Sequence, residues 1–310
     1  MTNILGQLTC STNAKNTGFG SCFLNWDIIK GAFFFGSAQS FTPAQIATLQ
    51  ETLNAAATND VKSKRMYMVH NFVAPTDNSE KVITEKFDYG AEAIVRDGNI
   101  NWSFQFVDGG ACLNNAGRTH NGASNVLFYD NSNKLIGWDV NGNLSTIPMQ
   151  YIYFTPFTLR TGSKTTGYNV MFSFLPKYVN EEVGFVAADF DLSEIVGLQD
   201  IDIILNSFNQ NTGVANVTLQ TDCGAQNIYD LFHAQISDAT FTAYDESGDA
   251  IAIDSVTPVA GNKTFNIGLN AASFPDSGIV TLAGAAVSVL TEELIEGYEI
   301  GSLALEVTGS

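Results

Sequence analysis

Nucleophilic catalysis needs a hydroxyl or thiol beside a base, and this chain offers few such pairings. Its three histidines, His70, His120 and His233, lie far apart, so a triad would have to bring Cys112 or Cys223 to one of them. Cys112 and His120 are the nearest such pair in sequence, and both fall in a helix-like stretch. Eight residues along a helix put them on one face but roughly 12 Å apart, beyond hydrogen-bond reach. A packed thiol and a turn histidine are the simpler reading. No GxSxG, HExxH, phosphate-loop or CxxC pattern occurs, and ligand count argues against zinc. The sequence therefore predicts no catalytic residue and no cofactor.

Clustered oxygens could serve calcium instead. Asp189, Asp191 and Glu194 form one acidic turn, and Asp245, Glu246 and Asp249 surround Gly248 in another. Asp189, Asp191, Asp245 and Asp249 are thus the candidate metal ligands, but neither turn has the twelve-residue loop spacing. A solvated turn or a helix start is the favoured alternative, with Asp191 capping a short helix before Gly197. Three tryptophans, Trp26, Trp102 and Trp138, could form a sugar platform. On alternating strands they read more simply as core or subunit contact.

Something must position these residues, and composition points to strands. The chain has 310 residues, 45% hydrophobic and 15% charged, with 22 Phe and 10 Tyr, which suits two globular, β-rich domains. Charge is uneven. Residues 1–205 carry 19 acids and 13 bases, while residues 206–310 carry 13 acids against Lys263 alone, and the net charge of the whole chain is −18. Such a field repels phosphate, which argues against sequence-specific nucleic-acid binding and against an anionic membrane surface. Four cysteines, Cys10, Cys22, Cys112 and Cys223, are too few for a disulfide scaffold. A Cys10–Cys22 pair is open to them, but reduced, half-buried thiols are expected. The polar segment from Met1 to Gly20 lacks a basic region followed by an apolar stretch, so no secretory signal is expected and synthesis is expected in a cytoplasm. No apolar run approaches the roughly 20 residues of a membrane helix.

Residues 1–21 read as an extended polar arm. Thr42, Pro43 and Gln45 make a capping box for a helix from about Pro43 to Ala57, with Ile46, Leu49 and Leu53 on one face. Strand patterns follow at Lys64 to Phe72 and Lys81 to Tyr89. Glu92 to Arg96 and Ile100 to Val107 flank Asp97-Gly98-Asn99, which predicts a hairpin. There Trp102, Phe104 and Phe106 share a core face. Gly109 to Asn121 reads as a short helix, and Asn125 to Asp130 with Leu135 to Val140 as another hairpin. Residues 206–213 read as a linker, where composition and charge shift. Residues 214–310 then carry short strands spaced like a small immunoglobulin-like β-sandwich, with Gly278 to Val289 among them. The predicted class is mainly β: an arm at 1–21, a sandwich or barrel-like domain at 22–205 with one or two docked helices, and a second sandwich.

Several phrases carry a family likeness. They are Asp77-Asn78-Ser79-Glu80, Tyr89-Gly90, Val95-Arg96-Asp97-Gly98, Trp102-Ser103-Phe104-Gln105-Phe106, Asp108-Gly109-Gly110 and Cys112-Leu113. Phe128-Tyr129-Asp130, Leu135-Ile136-Gly137 and Ile195-Val196-Gly197-Leu198-Gln199-Asp200 continue them. Over roughly residues 1–205 the chain resembles abundant virion proteins of tailed bacteriophages infecting Bacteroidetes, with an immunoglobulin-like domain appended. The resemblance implies a tail-tube plan. Subunits form rings, commonly hexameric, whose sheets join into an inner barrel that conducts DNA, while arms or loops clamp the next ring. It implies self-association, contact with other virion proteins and residence in the virion. Asn3, Leu5, Trp26, Trp102, Phe104, Phe106 and Trp138 are the residues expected at subunit contacts.

A second reading is a capsid decoration or head-fibre protein whose C-terminal domain makes weak contact with glycans. A third is a glycan hydrolase hidden in the acidic turns, against which stands the lack of a paired-carboxylate motif.

Overall fold

A computed structural model of the chain describes residues 27–96, 98–106, 110–122, 124–156, 167–175, 183–270 and 277–307, together with the backbone of 9–11 and 21–23. Two compact units divide the chain, one running to Val196 and the other beginning at Gly197. Both are mainly β, with several sheets and five short α-helices among the described residues.

In the first unit the strands begin with β1 (Thr9–Ser11), β2 (Ser21–Phe23), β3 (Ile29–Phe35) and β4 (Ser40–Phe41). Helices α1 (Pro43–Ala47) and α2 (Leu49–Ala57) come next, then β5 (Tyr67–Val69), β6 (Val73–Asp77), β7 (Ile83–Lys86) and β8 (Glu92–Arg96). After β9 (Asn101–Phe106) and helix α3 (Gly110–Gly117) follow β10 (Asn125–Asp130), β11 (Lys134–Val140) and β12 (Asn143–Ser145). β13 (Ile147–Phe154), β14 (Tyr168–Phe174) and β15 (Val183–Ala187) are the last strands. The main sheet runs β6-β9-β14-β13-β10-β11-β12-β4, with β3 beside β10, β5 beside β3, and β15 beside β11.

The centre of this unit is buried on both faces, which explains why β3 reads as an unbroken run, Ala32-Phe33-Phe34-Phe35, rather than as an alternation. On one side Phe34 joins Phe128, Phe154 and Phe172, the barrel-like interior. On the other, Phe33, Leu127, Tyr129 and Leu135 meet Ile46, Leu49 and Leu53 of the helices. The capping box forms as expected: the Gln45 amide N–H donates to the Thr42 hydroxyl, and the Thr42 N–H donates to the Gln45 side chain. The helix breaks at Thr48, so two helices dock through one apolar stripe. Tyr129 lies over Gly31, where a Cβ would stand 2.3 Å from the ring, so only glycine admits the buried tyrosine.

The second unit contains β16 (Gln199–Asn209), β17 (Val214–Thr221), helix α4 (Tyr229–Phe232), β18 (Phe241–Tyr244) and β19 (Ala250–Ile251). β20 (Ile253–Val259), β21 (Thr264–Leu269), β22 (Gly278–Gly284), helix α5 (Val287–Glu292), β23 (Tyr298–Ile300) and β24 (Ser302–Val307) follow. Sheets β20-β21-β17-β16-β23 and β19-β18-β22-β24 enclose one core, to which Val217 and Phe265 contribute from the first and Val280 and Leu305 from the second. β17 alternates buried and half-buried positions along its whole length, as a one-sided strand must.

Four expectations change. Residues 206–213 are not a linker but the end of β16 and its turn into β17, and the unit boundary lies earlier, between Val196 and Gly197. The composition shift marked a change of surface within a strand pair. Glu92 to Arg96 does not pair with 100–107: β8 pairs with β7, and β9 with β6. Gly98 instead allows close passage, since a Cβ there would lie 2.0 Å from the Glu80 carbonyl oxygen. The stretch from Gly278 to Val289 is a strand that gives way to α5, because Val287 and Leu290 bury one helical face. Finally, Phe104, Phe106 and Trp138 are buried within their own subunit, at 4%, 0% and 4% exposure, which removes them from any subunit contact. Phe104 packs against Phe72, Phe128 and Phe172.

Candidate assembly surface

The side chains with chemical potential do not converge. His70 is held inside the first unit, with Nδ1 2.6 Å from the Tyr129 hydroxyl and Nε2 2.8 Å from the Ile195 carbonyl. Burial, and secondarily Lys30, pushes its pKa below the usual 6.5, against the opposing effects of the Ile195 carbonyl and Asp191. The neutral ring accepts from Tyr129 and donates to Ile195, a locking contact. His120 stacks on Tyr67, and burial lowers its pKa too. His233 belongs to the second unit, stacked on Tyr229.

Cys112 and Cys223 are each disulfide-bonded, and no free cysteine occurs among the described residues. The expectation of reduced thiols is therefore corrected, and Cys112 has no thiol for His120 to activate. Linear spacing does not reveal which sulfurs a fold brings together. In the β1–β2 register Cys10 and Cys22 are directly opposed.

The acidic turns are engaged in local structure. Asp191 accepts from the Ser193 N–H and hydroxyl, contacts that hold its carboxyl below the ordinary range and cap the 3-10 turn Leu192–Glu194. Asp245 accepts from the N–H groups of Ser247 and Asp249, closing its own turn. Among the described residues no group of three or more His, Cys, Asp or Glu side chains could hold a metal ion. Trp102 is half-buried against Phe174, and with Trp138 in the core these two do not form a sugar platform. Asn3, Leu5 and Trp26 lie outside the described residues.

One surface is different. Beyond the β6–β9 pair the two chains continue side by side, through Asn78 N–H to the Asn101 carbonyl at 2.8 Å and Glu80 N–H to the Asn99 carbonyl at 2.9 Å. They then form β7 and β8, which close over Phe87–Ala91, where Phe87 N–H reaches the Ala91 carbonyl. At about 3.3 Å per residue this ribbon extends roughly 30 Å from the sheet. Every residue from Glu80 to Arg96 is exposed. Tyr89 is 80% exposed, Ile94 70% and Val95 60%, and Phe87 stacks on Tyr89 with ring planes 3° apart. Ile94 and Val95 are consecutive, so apolar side chains stand on both faces.

No known family model matches the chain, and no curated protein matches it.

A two-stranded ribbon is marginal in water without a third strand or a partner to cover it. The ion pairs Lys86–Glu92 at 3.0 Å and Arg96–Glu80 at 3.5 Å are exposed and add little. Both strands are legible in the sequence, but the turn signal at Asp97-Gly98-Asn99 points β8 to the wrong neighbour. The available signal was Tyr89-Gly90: Gly90 has φ +85°, a turn position that most residues resist.

Proposed function

We propose that this chain is a self-assembling structural protein of a tailed-phage virion, most specifically a tail-tube subunit. The observation that carries the proposal is the exposed ribbon of β7 and β8, whose apolar side chains on both faces call for cover by another chain. The phrase-level resemblance supplies the setting: rings, commonly hexameric, stacked into a conduit for DNA. Free strand edges invite pairing, and joining sheets across subunits satisfies them. The excess of acids over bases in residues 1–205, 19 against 13, permits a mildly acidic lumen along which DNA slides without sticking. The second unit, proposed as an immunoglobulin-like domain, sits on the outside, where it keeps particles soluble and is available for weak glycan contact.

Negative-stain microscopy of the purified protein at rising concentration tests this. Stacked rings or tubes are expected. Particles that remain monomers or trimers at every concentration would sink the tube assignment.

A further inference from the structure

The four strands β6, β9, β14 and β13 cover the core of the first unit with one face and turn the other outward. Phe104, Phe106, Val170, Phe172 and Phe154 point into the core, so the residues that alternate with them point away from it. Strand register lays these outward side chains in rows. Tyr153 stands beside Met171 and Ser103, and Thr155, Asn169 and Gln105 form the next row. Tyr151 and Tyr153 are 39% and 41% exposed, and at about 3.4 Å per residue they stand about 6.8 Å apart along β13. Asp77 is the one charged residue in these four strands, in a chain that is 15% charged. It opposes Trp102, whose ring packs inward against Phe128, so the outward rows carry no charge. We propose that this face binds an extended neutral polysaccharide, with Tyr151 and Tyr153 as the rings on which its sugars stack.

Charge decides between ligand classes. Without lysine or arginine the rows offer phosphate and other anions no partner, and without carboxylates they offer none to cations. A lipid, an apolar helix or the hydrophobic centre of a protein interface would leave their amides and hydroxyls unpaired. Sugar hydroxyls both donate and accept, so they satisfy amide and hydroxyl side chains in either sense, while the C–H face of a pyranose lies against an aromatic ring. Part of the face is already held in place. Gln105 lies across Gly167, where a Cβ would stand 2.3 Å from its amide nitrogen, and the Asn78 amide donates to the Ser103 hydroxyl at 2.9 Å. Side chains fixed beforehand lose less entropy on binding. A flat sheet also suits a polymer lying along it better than a small molecule, which needs enclosure. Trp102 and Trp138 pack inward, and the two tyrosines supply the outward rings that they do not. The site belongs to the first unit and does not depend on the self-assembly reading.

The test is affinity electrophoresis of the dilute full-length chain in gels containing mannan, mixed-linkage β-glucan, xyloglucan or dextran, with dextran sulfate as the anionic control. Retardation by at least one neutral polymer, and none by dextran sulfate, is expected. Changing Tyr151→Ala together with Tyr153→Ala should weaken that interaction about tenfold or more, with an unchanged melting temperature. Asn169→Ala is the second arm, because it removes an amide from the face without touching a ring, and it should weaken binding about threefold or more. Lack of retardation by every neutral polymer, or retardation by dextran sulfate alone, overturns the proposal. Binding that is unchanged in folded variants lies elsewhere on the chain and overturns it too. If the tyrosine changes abolish self-association and leave retardation intact, the face is a subunit contact and the polysaccharide assignment fails.

Discussion

Replacing Tyr89 with Ser and Ile94 with Thr separates assembly from folding without changing charge or strand compatibility. Tyr89 is 80% exposed and Ile94 70%, so the folded subunit draws almost nothing from either, and its stability should shift by less than about 0.5 kcal/mol. In the assembly the accounting differs. A fully covered aromatic side chain buries roughly 150–250 Å², and at about 25 cal/mol per Å² the exposed share of Tyr89 represents up to roughly 3–5 kcal/mol. Ordering the ribbon consumes part of that gain. With Ile94 included, a net loss of about 2–3 kcal/mol per contact remains, close to 100-fold in the concentration at which subunits associate. Sedimentation velocity across a dilution series measures that concentration, and calorimetry measures the melting temperature on the same samples. The expected result is a large rise in the first with no change in the second. An association concentration within threefold of the parent would refute the claim that the ribbon is the assembly surface. A lowered melting temperature would refute its independence from the core.

Other consequences concern the fold. Burial holds His70 and His120 below their usual pKa of 6.5, so the unfolded chain takes up protons before the folded one does. Their contribution is full above about pH 6.5 and is lost as pH falls through their lowered folded values. In urea titrations between pH 7.5 and 4.5, His70→Gln should flatten the slope of stability against pH by up to about 1.4 kcal/mol per unit; an unchanged slope counts against His70. Leu294 ends α5 with φ +62° and is 68% exposed. Leu294→Gly should therefore stabilise the second unit by about 0.5–1 kcal/mol, seen as a higher urea midpoint. Gly31→Ala pushes a methyl into the Tyr129 ring and should cost the first unit about 1–3 kcal/mol by the same assay.

Much of the fold was legible because its signals are local. The capping box at Thr42 and Gln45, the Asp191 cap and the alternation along β17 are set by neighbouring residues. The errors arose where distant segments decide. Asp97-Gly98-Asn99 carries a turn signal, yet Gly98 serves close packing against Glu80, and the pairing skips to β6 and β7. Phe104 and Trp138 could equally be core or contact from their chemistry alone, and burial against Phe172 and its neighbours is a property of the folded interior.

By itself the sequence determined a β-rich, strongly acidic chain of two globular parts. Those conclusions depend on composition, charge and spacing, which survive any arrangement of the strands. Tertiary structure decided which apolar residues are covered. It enclosed Phe34, Phe106 and Tyr129 and left Tyr89, Ile94 and Val95 in water. The physical reason is strand pairing: among the described residues β9 has neighbours on both edges, while β7 and β8 have only each other. Similar apolar residues therefore became interior in one place and an uncovered surface in another.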